Sequence, residues 1–277
     1  MAPVAPLHVD FWILIGVCAL TWVLSLITRE HSWVDRIWSI VPVAYVWVFA
    51  ASTGLADGRL VLMAVLVTLW GIRLTFNFAR KGGYARGGED YRWEYVRARM
   101  PRPLFEVFNL LFIVCYQNVL LLLISLPAYT AWGHPSALGA LDWILAAAFL
   151  AALVGETTAD QQQWNFQQWK KAERTAGRDP RPRFLQRGLF GASRHPNFFF
   201  EQSQWWLIFL FGCVAAGSPW QWTVIGPALL TVLFVGSTRM TEQISRERYP
   251  EYAEYQARVS ALIPWFPRSR KDVAQLG

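Results

Sequence analysis

Long apolar runs recur along this chain of 277 residues, and each is close to the ~20 residues that a helix needs to cross a bilayer. Hydrophobic residues make up 54% of the sequence and charged residues only 16%, below the roughly 25% of a soluble domain. The sequence therefore predicts an all-α, polytopic membrane protein rather than a soluble enzyme with a membrane tail.

The apolar runs predict about seven transmembrane helices that form one membrane bundle. We treat residues 1–277 as a single membrane domain, because no internal repeat is visible. The predicted spans are about 11–28, 37–54, 60–79, 104–126, 139–158, 203–217 and 221–238.

The loops between these spans differ sharply in basic residues. Seven Lys and Arg lie in 80–103, eight in 159–202 and seven in the tail 239–277, whereas 127–138 has none. Basic residues favour the cytoplasmic side, so we predict an N-terminus outside and a cytoplasmic C-terminus. The net charge of +7 then reflects membrane orientation, and we expect no nucleic-acid partner. The three cysteines fall inside apolar spans without a CxxC pair, which argues against a metal site.

The densest polar segment runs from Gly188 to Glu201 and leads directly into an apolar span. Polar groups at that depth are costly unless they bind something. Pro196 suits a first helical turn, where free N–H groups and the helix dipole favour an anion. Asn197 and Glu201 share one face of that helix. We predict a cofactor site here, with His195 as a helix-end hydrogen bonder or a catalytic group.

A second polar group lies at the predicted end of the fifth span, where helical spacing puts Glu156, Asp160 and Gln163 on one face. Carboxylates at i and i+4 repel each other unless each has a partner. This group is either a solvated helix end, or its carboxylates and amides bind ribose or adenine while the following cations bind phosphates. Those cations are Lys170, Lys171, Arg174, Arg178, Arg181, Arg183 and Arg187.

Several motifs point to a known family. They are Ala159-Asp160-Gln161, Gly188-Leu189-Phe190 with Ser193, Asn197 and Glu201 followed by Trp205, the tail from Tyr255 to Trp265, and two N-terminal pieces, 32–38 and 70–74. With these motifs the C-terminal half resembles the steroid 5-alpha-reductase C-terminal domain, and the whole chain resembles the bacterial DUF1295 family. We therefore expect a multi-pass protein of the bacterial inner membrane.

The resemblance implies a seven-helix membrane reductase that uses NADPH, with the cofactor held by about residues 139–266. It implies that Asn197 and Glu201 contact the nicotinamide part and that Asp160 helps to bind the nucleotide. Four residues before Asp160 the family has asparagine, where this chain has Glu156. The predicted cofactor-binding residues are Asp160, Gln163, Arg187, Ser193, Arg194, His195, Asn197, Glu201 and Tyr255.

The family also uses a glutamate and a tyrosine from the N-terminal half to polarise the substrate carbonyl. By spacing from Arg73, Asp35 falls near the glutamate and Trp70 near the tyrosine. An indole N–H donates a hydrogen bond but cannot replace a phenolic proton donor, so the family's pair is not preserved.

The candidate catalytic proton donors are Asp35, Tyr91 and Tyr116. Asp35 has a second interpretation as the anchor of a helix start in the interface belt. Tyr116-Gln117-Asn118 either lines the substrate or cofactor cavity or makes hydrogen bonds between helices.

The function that we expect is NADPH-dependent reduction of a carbon–carbon double bond in a lipophilic substrate, such as a sterol-like, prenyl or fatty acyl molecule. Arg194-His195-Pro196 also resembles the Arg-His-Pro motif of isoprenylcysteine and phospholipid methyltransferases, which use S-adenosylmethionine. A non-enzymatic membrane scaffold or lipid transporter is the third class. The sequence leaves the substrate and the oligomeric state open.

Overall fold

The computed structural model describes residues 5–268, and all regular structure within that range is helical apart from one isolated bridge between Ser193 and Ser260. The all-α prediction is confirmed. Residues 1–4 and 269–277 of the predicted domain lie outside the described range. The α-helices are α1 (Pro6–Thr28), α2 (Trp33–Ile37), α3 (Val41–Ser52), α4 (Gly58–Arg80), α5 (Tyr91–Arg97), α6 (Arg102–Phe108), α7 (Gln117–Ser125), α8 (Pro127–Gly133), α9 (Ala140–Thr175), α10 (Pro196–Ala216), α11 (Ile225–Arg248) and α12 (Tyr252–Arg258).

Five helical segments within residues 5–268 are long and apolar enough to cross a membrane. They are Pro6–Thr28, Gly58–Arg80, Arg102–Gly133, Ala140–Thr175 and Trp222–Arg248. The protein therefore has the helices of a multi-pass membrane protein, while the count of seven spans and the outside N-terminus stay predictions.

The remaining two predicted spans correspond to α3 and α10. Helix α3 has 12 residues, or about 18 Å at 1.5 Å per residue, which is short of the ~30 Å hydrocarbon core. Helix α10 has 21 residues but begins with the polar residues of the predicted cofactor segment. Helix α9 differs in the opposite direction, because its 36 residues extend far beyond the predicted span 139–158.

The chain forms two compact units, and the first contains residues 5–149 and 205–230. Here α3 packs against α1, α4 and α7. Trp70 is 1% exposed and meets the ring of Trp205 edge to face at 4.9 Å. Gly226 lies so close to α7 that a Cβ would come within 2.2 Å of the Leu123 carbonyl oxygen. Such close backbone approach at a small residue is typical of helix packing in membranes.

A buried ion pair joins the start of α4 to the start of α9 in the same unit. The Nε and Nη2 of Arg59 donate to the two carboxylate oxygens of Asp142 at 2.7 and 2.9 Å, and Nη1 donates to the Ser136 hydroxyl at 2.6 Å. Asp142 is 0% exposed. Two parallel hydrogen bonds of this kind give an arginine–carboxylate pair its fixed geometry.

The segment between α6 and α7 is a π-helix, Asn109–Tyr116, which is rare and is often found at functional positions. Asn118 follows it and donates to the Thr21 hydroxyl of α1 at 3.3 Å and to the Val114 carbonyl at 2.9 Å. The polar interruption of the fourth predicted span thus makes hydrogen bonds between helices, one of its two interpretations.

The second unit contains residues 150–204 and 231–268, and an aromatic cluster organises its polar loop. The ring of Phe184 lies 4.9 to 6.0 Å from those of Tyr249, Tyr252 and Tyr255. Beside it the Nζ of Lys170 donates to the Arg183 carbonyl at 2.5 Å. These contacts fold the loop after α9 against the end of α11 and α12, so the loop is an ordered part of the unit.

Candidate functional site

The second unit contains a buried carboxylate, Glu242, near the end of α11. The Nε and Nη2 of Arg194 donate to its two oxygens at 2.6 and 3.0 Å. The Nε2 of His195 lies 3.1 Å from Oε1, and the Nε2 of Gln256 donates to Oε2 at 2.7 Å. We call these four residues the Glu242 cluster. Three side chains thus compensate a buried charge that would be costly alone.

The backbone of the predicted cofactor segment pairs with the C-terminal segment. The N–H of Arg194 donates to the Ser260 carbonyl at 2.8 Å. Ser193 is fully buried, and its hydroxyl donates to the Leu262 carbonyl at 2.7 Å. The tail is therefore a structural partner of the segment that begins α10.

The other side chains of this segment have equally specific partners. Arg194 also donates through Nη1 to the carbonyls of Gln256 and Val259 at the end of α12. The hydroxyl of Tyr255 donates to the Phe190 carbonyl at 2.5 Å, and burial raises the pKa of that phenol. Four predicted cofactor-binding residues, Ser193, Arg194, His195 and Tyr255, are therefore engaged in contacts within the unit.

Asn197 and Glu201 differ from their neighbours. They lie one turn apart on α10, and this spacing puts them on the same face. Within residues 5–268 the Asn197 side chain has no hydrogen-bond partner and is partly exposed, whereas Glu201 is buried at 8% exposure. An amide that can both donate and accept is thus available beside a buried acid.

Helix α9 contributes the second predicted polar group. Glu156 and Asp160 are 2% and 5% exposed, and Glu156 accepts a hydrogen bond of 2.7 Å from the Nε2 of Gln204. Gln163 is partly buried, and its neighbour Gln162 accepts a hydrogen bond from the backbone N–H of Leu189. Buried carboxylates do not fit a solvated helix end, so that interpretation is wrong for Glu156 and Asp160.

Arg187, at the end of the loop that follows α9, is exposed. Its side chain makes no ion pair or hydrogen bond with the described part of the chain. An arginine fork matches phosphate oxygens well. Arg187 is thus one of three predicted phosphate-binding cations, with Lys171 and Arg174, that are exposed and have no side-chain partner within residues 5–268.

In the first unit Asp35 lies on α2, where the indole N–H of Trp93 donates to its Oδ2 at 2.9 Å. Burial and the nearby carboxylate of Asp90 raise the pKa of Asp35, and Arg92 opposes them in part. Arg92 is itself bound to Asp90, with 2.7 Å between Nη2 and Oδ2. Asp35 is therefore a carboxyl that keeps its proton to a higher pH than usual.

The other two candidate proton donors have different surroundings. Tyr91, the first residue of α5, is 53% exposed. Tyr116 ends the π-helix, its ring stacks on Phe112 at 5.2 Å, and its hydroxyl reaches the Leu229 carbonyl at 3.5 Å. Among the described contacts none joins Asp35 to Tyr116, so the structure does not bring these two candidates together as a pair.

Three residues that matter here carry no motif in the sequence. Glu242 and Gln256 complete the cluster around Arg194, and Glu242 lies beyond residue 238, where the predicted last span ended. Asp10 is fully buried in α1, and its carboxylate has no hydrogen-bond partner in the described chain. In the sequence both acids are isolated charges. The helix face on which each lies can be assigned only when the true helix bounds are known.

The loop of 80–103, with its paired glycines, is fixed by the protein's own groups. Arg36 donates through Nε to the Gly83 carbonyl at 3.1 Å and through Nη2 to Glu30 at 2.6 Å. Glu30 in turn accepts from the Gly87 N–H at 2.8 Å. The glycines therefore bring the backbone close to side chains of the same unit.

Comparison with known proteins identifies the family of this chain. A family model described as a protein of unknown function, DUF1295, matches residues 21–259. The chain belongs to the DUF1295 family. An uncharacterised protein from the yeast Schizosaccharomyces pombe is 41% identical to the chain over 268 residues, which cover 91% of this chain and 78% of the yeast protein. No solved structure matches the chain.

Proposed function

We propose that this membrane protein is an NADPH-dependent reductase of a carbon–carbon double bond in a lipophilic substrate. The observation that carries the proposal is the Asn197 side chain, which has no hydrogen-bond partner within residues 5–268 although it lies one turn from the buried Glu201. Unused donors and acceptors beside a buried acid are typical of a site that is completed by a ligand.

The residues of the second unit fit the parts of this cofactor. Asn197 can donate to and accept from the nicotinamide carboxamide, and Glu201 can accept from its amide hydrogens. Asp160 and Gln163 on α9 suit ribose or adenine groups, and the exposed Arg187 suits a phosphate. NADPH supplies a hydride when it is bound.

A reductase of this kind also needs a proton source, and Asp35 has the chemistry for it. Its pKa is raised by burial and by Asp90, so a fraction of the carboxyl retains a transferable proton above the usual range for aspartate. Tyr91 and Tyr116 remain the alternative donors.

The methyltransferase alternative rests on Arg194-His195-Pro196. Both Arg194 and His195 bind Glu242, so the fold alone accounts for the first two residues of that triplet. No such structural partner accounts for Asn197, which belongs to the reductase resemblance. This difference favours NADPH over S-adenosylmethionine.

The test is calorimetric titration of the purified protein in detergent with NADPH and, separately, with S-adenosylmethionine. We expect NADPH binding, and we expect Asn197→Ala to weaken it about 10-fold, as the loss of one or two hydrogen bonds would. Gln168→Ala removes an exposed amide from α9 and serves as the matched control, with unchanged affinity.

Three results would contradict the proposal. They are binding of S-adenosylmethionine alone, binding of neither nucleotide by folded protein, and equal loss of NADPH affinity in the Asn197→Ala and Gln168→Ala variants. The last result would trace the effect to general damage rather than to a contact.

A further inference from the structure

A cavity of about 600 Å³ opens in the first unit between the end of α1 and the segment that joins α5 to α6. Its volume is in the range of small-molecule sites. None of the predicted catalytic or cofactor-binding residues lines it. The lining residues are Trp22, Ser25, Leu26, Arg29, His31, Arg97, Met100, Arg102, Phe105 and Glu106.

The polar part of this cavity is strongly basic. The lining contains three arginines, Arg29, Arg97 and Arg102, and one acid, Glu106. Arg97 is held in part by Glu89 at 3.3 Å. The side chains of Arg29 and Arg102 make no ion pair or hydrogen bond with the described residues, and both are exposed. The cavity therefore has two arginine forks available to an anion.

The remaining wall is apolar. Trp22 and Leu26 line it from the last turns of α1, and Phe105 lines it from α6, where the His31 ring meets it edge to face at 4.8 Å. Met100, a flexible side chain that adapts to irregular partners, completes this wall. A free inorganic anion would leave these apolar groups unused.

Both sides of the cavity belong to the ends of candidate membrane spans. Arg29 directly follows α1, and Arg102 is the first residue of the 32-residue run Arg102–Gly133. Basic residues at the ends of spans meet the phosphates of acidic lipids, and long basic side chains commonly reach toward that interface. The chemistry of the cavity thus matches the place where a head group joins its acyl chains.

We propose that this cavity binds an acidic phospholipid, with its phosphate between Arg29 and Arg102 and the start of an acyl chain along Trp22, Leu26 and Phe105. The site is independent of the reductase proposal, because it uses none of the residues assigned to NADPH. It makes the protein sensitive to the acidic lipid content of its membrane.

The test is native mass spectrometry of detergent-purified, delipidated protein titrated with phosphatidylglycerol or with phosphatidylcholine of the same acyl chains. We expect a bound phosphatidylglycerol at concentrations where phosphatidylcholine does not bind. The double variant Arg29→Gln/Arg102→Gln should weaken that binding about 30-fold. The control Arg86→Gln/Arg246→Gln removes two exposed arginines elsewhere and should bind as the unmodified protein does.

Two further measurements keep the proposal open to refutation if the double variant folds poorly. For the unmodified protein, phosphatidylglycerol binding should weaken as salt rises, whereas phosphatidylcholine binding should not change. Glycerol phosphate, which has the head group without the chains, should compete only at far higher concentration. Equal binding of both lipids, equal loss in both double variants, salt-independent binding, or full competition by glycerol phosphate would each overturn the proposal.

Discussion

Arg59–Asp142 in the first unit and Arg194–Glu242 in the second are both arginine–carboxylate pairs largely shielded from solvent, and their charges are compensated in different ways. In the first unit Asp142 accepts from Arg59 and from the N–H of Gly139. In the second unit Glu242 accepts from three side chains, and its arginine reaches on to the carbonyls of another helix. The first pair joins two helix starts, whereas the second organises a segment that also presents an available amide at Asn197.

The largest effect should come from the first pair. Asp142→Ala leaves Arg59 buried at 3% exposure without its carboxylate, which we expect to cost about 3–5 kcal/mol of stability. Thermal unfolding in detergent, followed by tryptophan fluorescence, measures this loss. Asp57→Ala, which removes the N-cap of α4 but not the buried charge, is the control and should cost only about 1 kcal/mol.

Glu242→Gln should cost less, about 1.5–3 kcal/mol, because glutamine keeps one acceptor for the three donors while losing the charge. The same unfolding measurement applies. If this variant is as damaging as Asp142→Ala, the second pair is structural to the same degree and the contrast between the units disappears. NADPH affinity is then measured on the folded variant. A lower affinity of protein that is still folded indicates a local change at α10 rather than loss of the whole fold.

A smaller effect is expected at Gly188, which precedes the cluster and has φ of +65°. Its added Cβ in Gly188→Ala would lie 2.5 Å from the Gln162 amide oxygen. That oxygen would have to move and release the Leu189 N–H. We expect a cost of about 1–2 kcal/mol from the left-handed backbone alone. Gly177→Ala has a positive φ but open space around it, so the difference between the two variants isolates the contact with Gln162.

The smallest effect is a pH dependence at Asp35, a carboxyl whose opposing positive charge, Arg92, is bound to Asp90. Its pKa in the folded protein is raised above the ordinary value of 3.8. Above that pH, the folded state therefore binds more protons than the unfolded state. Stability from this group therefore falls as pH rises above that value. Asp35→Asn should remove this pH dependence, so the stability of the variant relative to the unmodified protein should increase as pH rises. Unfolding midpoints at a series of pH values would show this, and parallel curves would refute it.

The fold was largely predictable because membrane helices can be recognised in a sequence by the length of their apolar runs. The spans of α1, α4 and the run through α7 follow that signal closely. The sequence could not show that α9 continues for 36 residues, since its second half is polar and has no long apolar run to mark it as part of the same helix. It also could not show the π-helix before Gln117, which alters hydrogen bonding without altering composition.

The site was predictable only in part, for a related reason. The segment around Arg194 is conspicuous because charged residues directly precede an apolar run. Its partners Glu242 and Gln256 lie 48 and 62 residues away, in stretches that look like ordinary polar helix ends. Which side chains the fold uses and which it leaves available, as with Ser193 and Asn197, depends on that tertiary pairing.

The pairing of the segment that begins α10 with the C-terminal segment also has a consequence for biosynthesis. Ser193 and Arg194 leave the ribosome well before Ser260 and Leu262, the residues that accept their hydrogen bonds. Until α12 and the segment that follows it have been synthesised, Ser193 and Arg194, which precede α10, lack their carbonyl partners. Synthesis of the chain as far as residue 262 is therefore the step that completes this pairing, and a nascent chain stopped before residue 256 would leave Arg194 without these carbonyl partners.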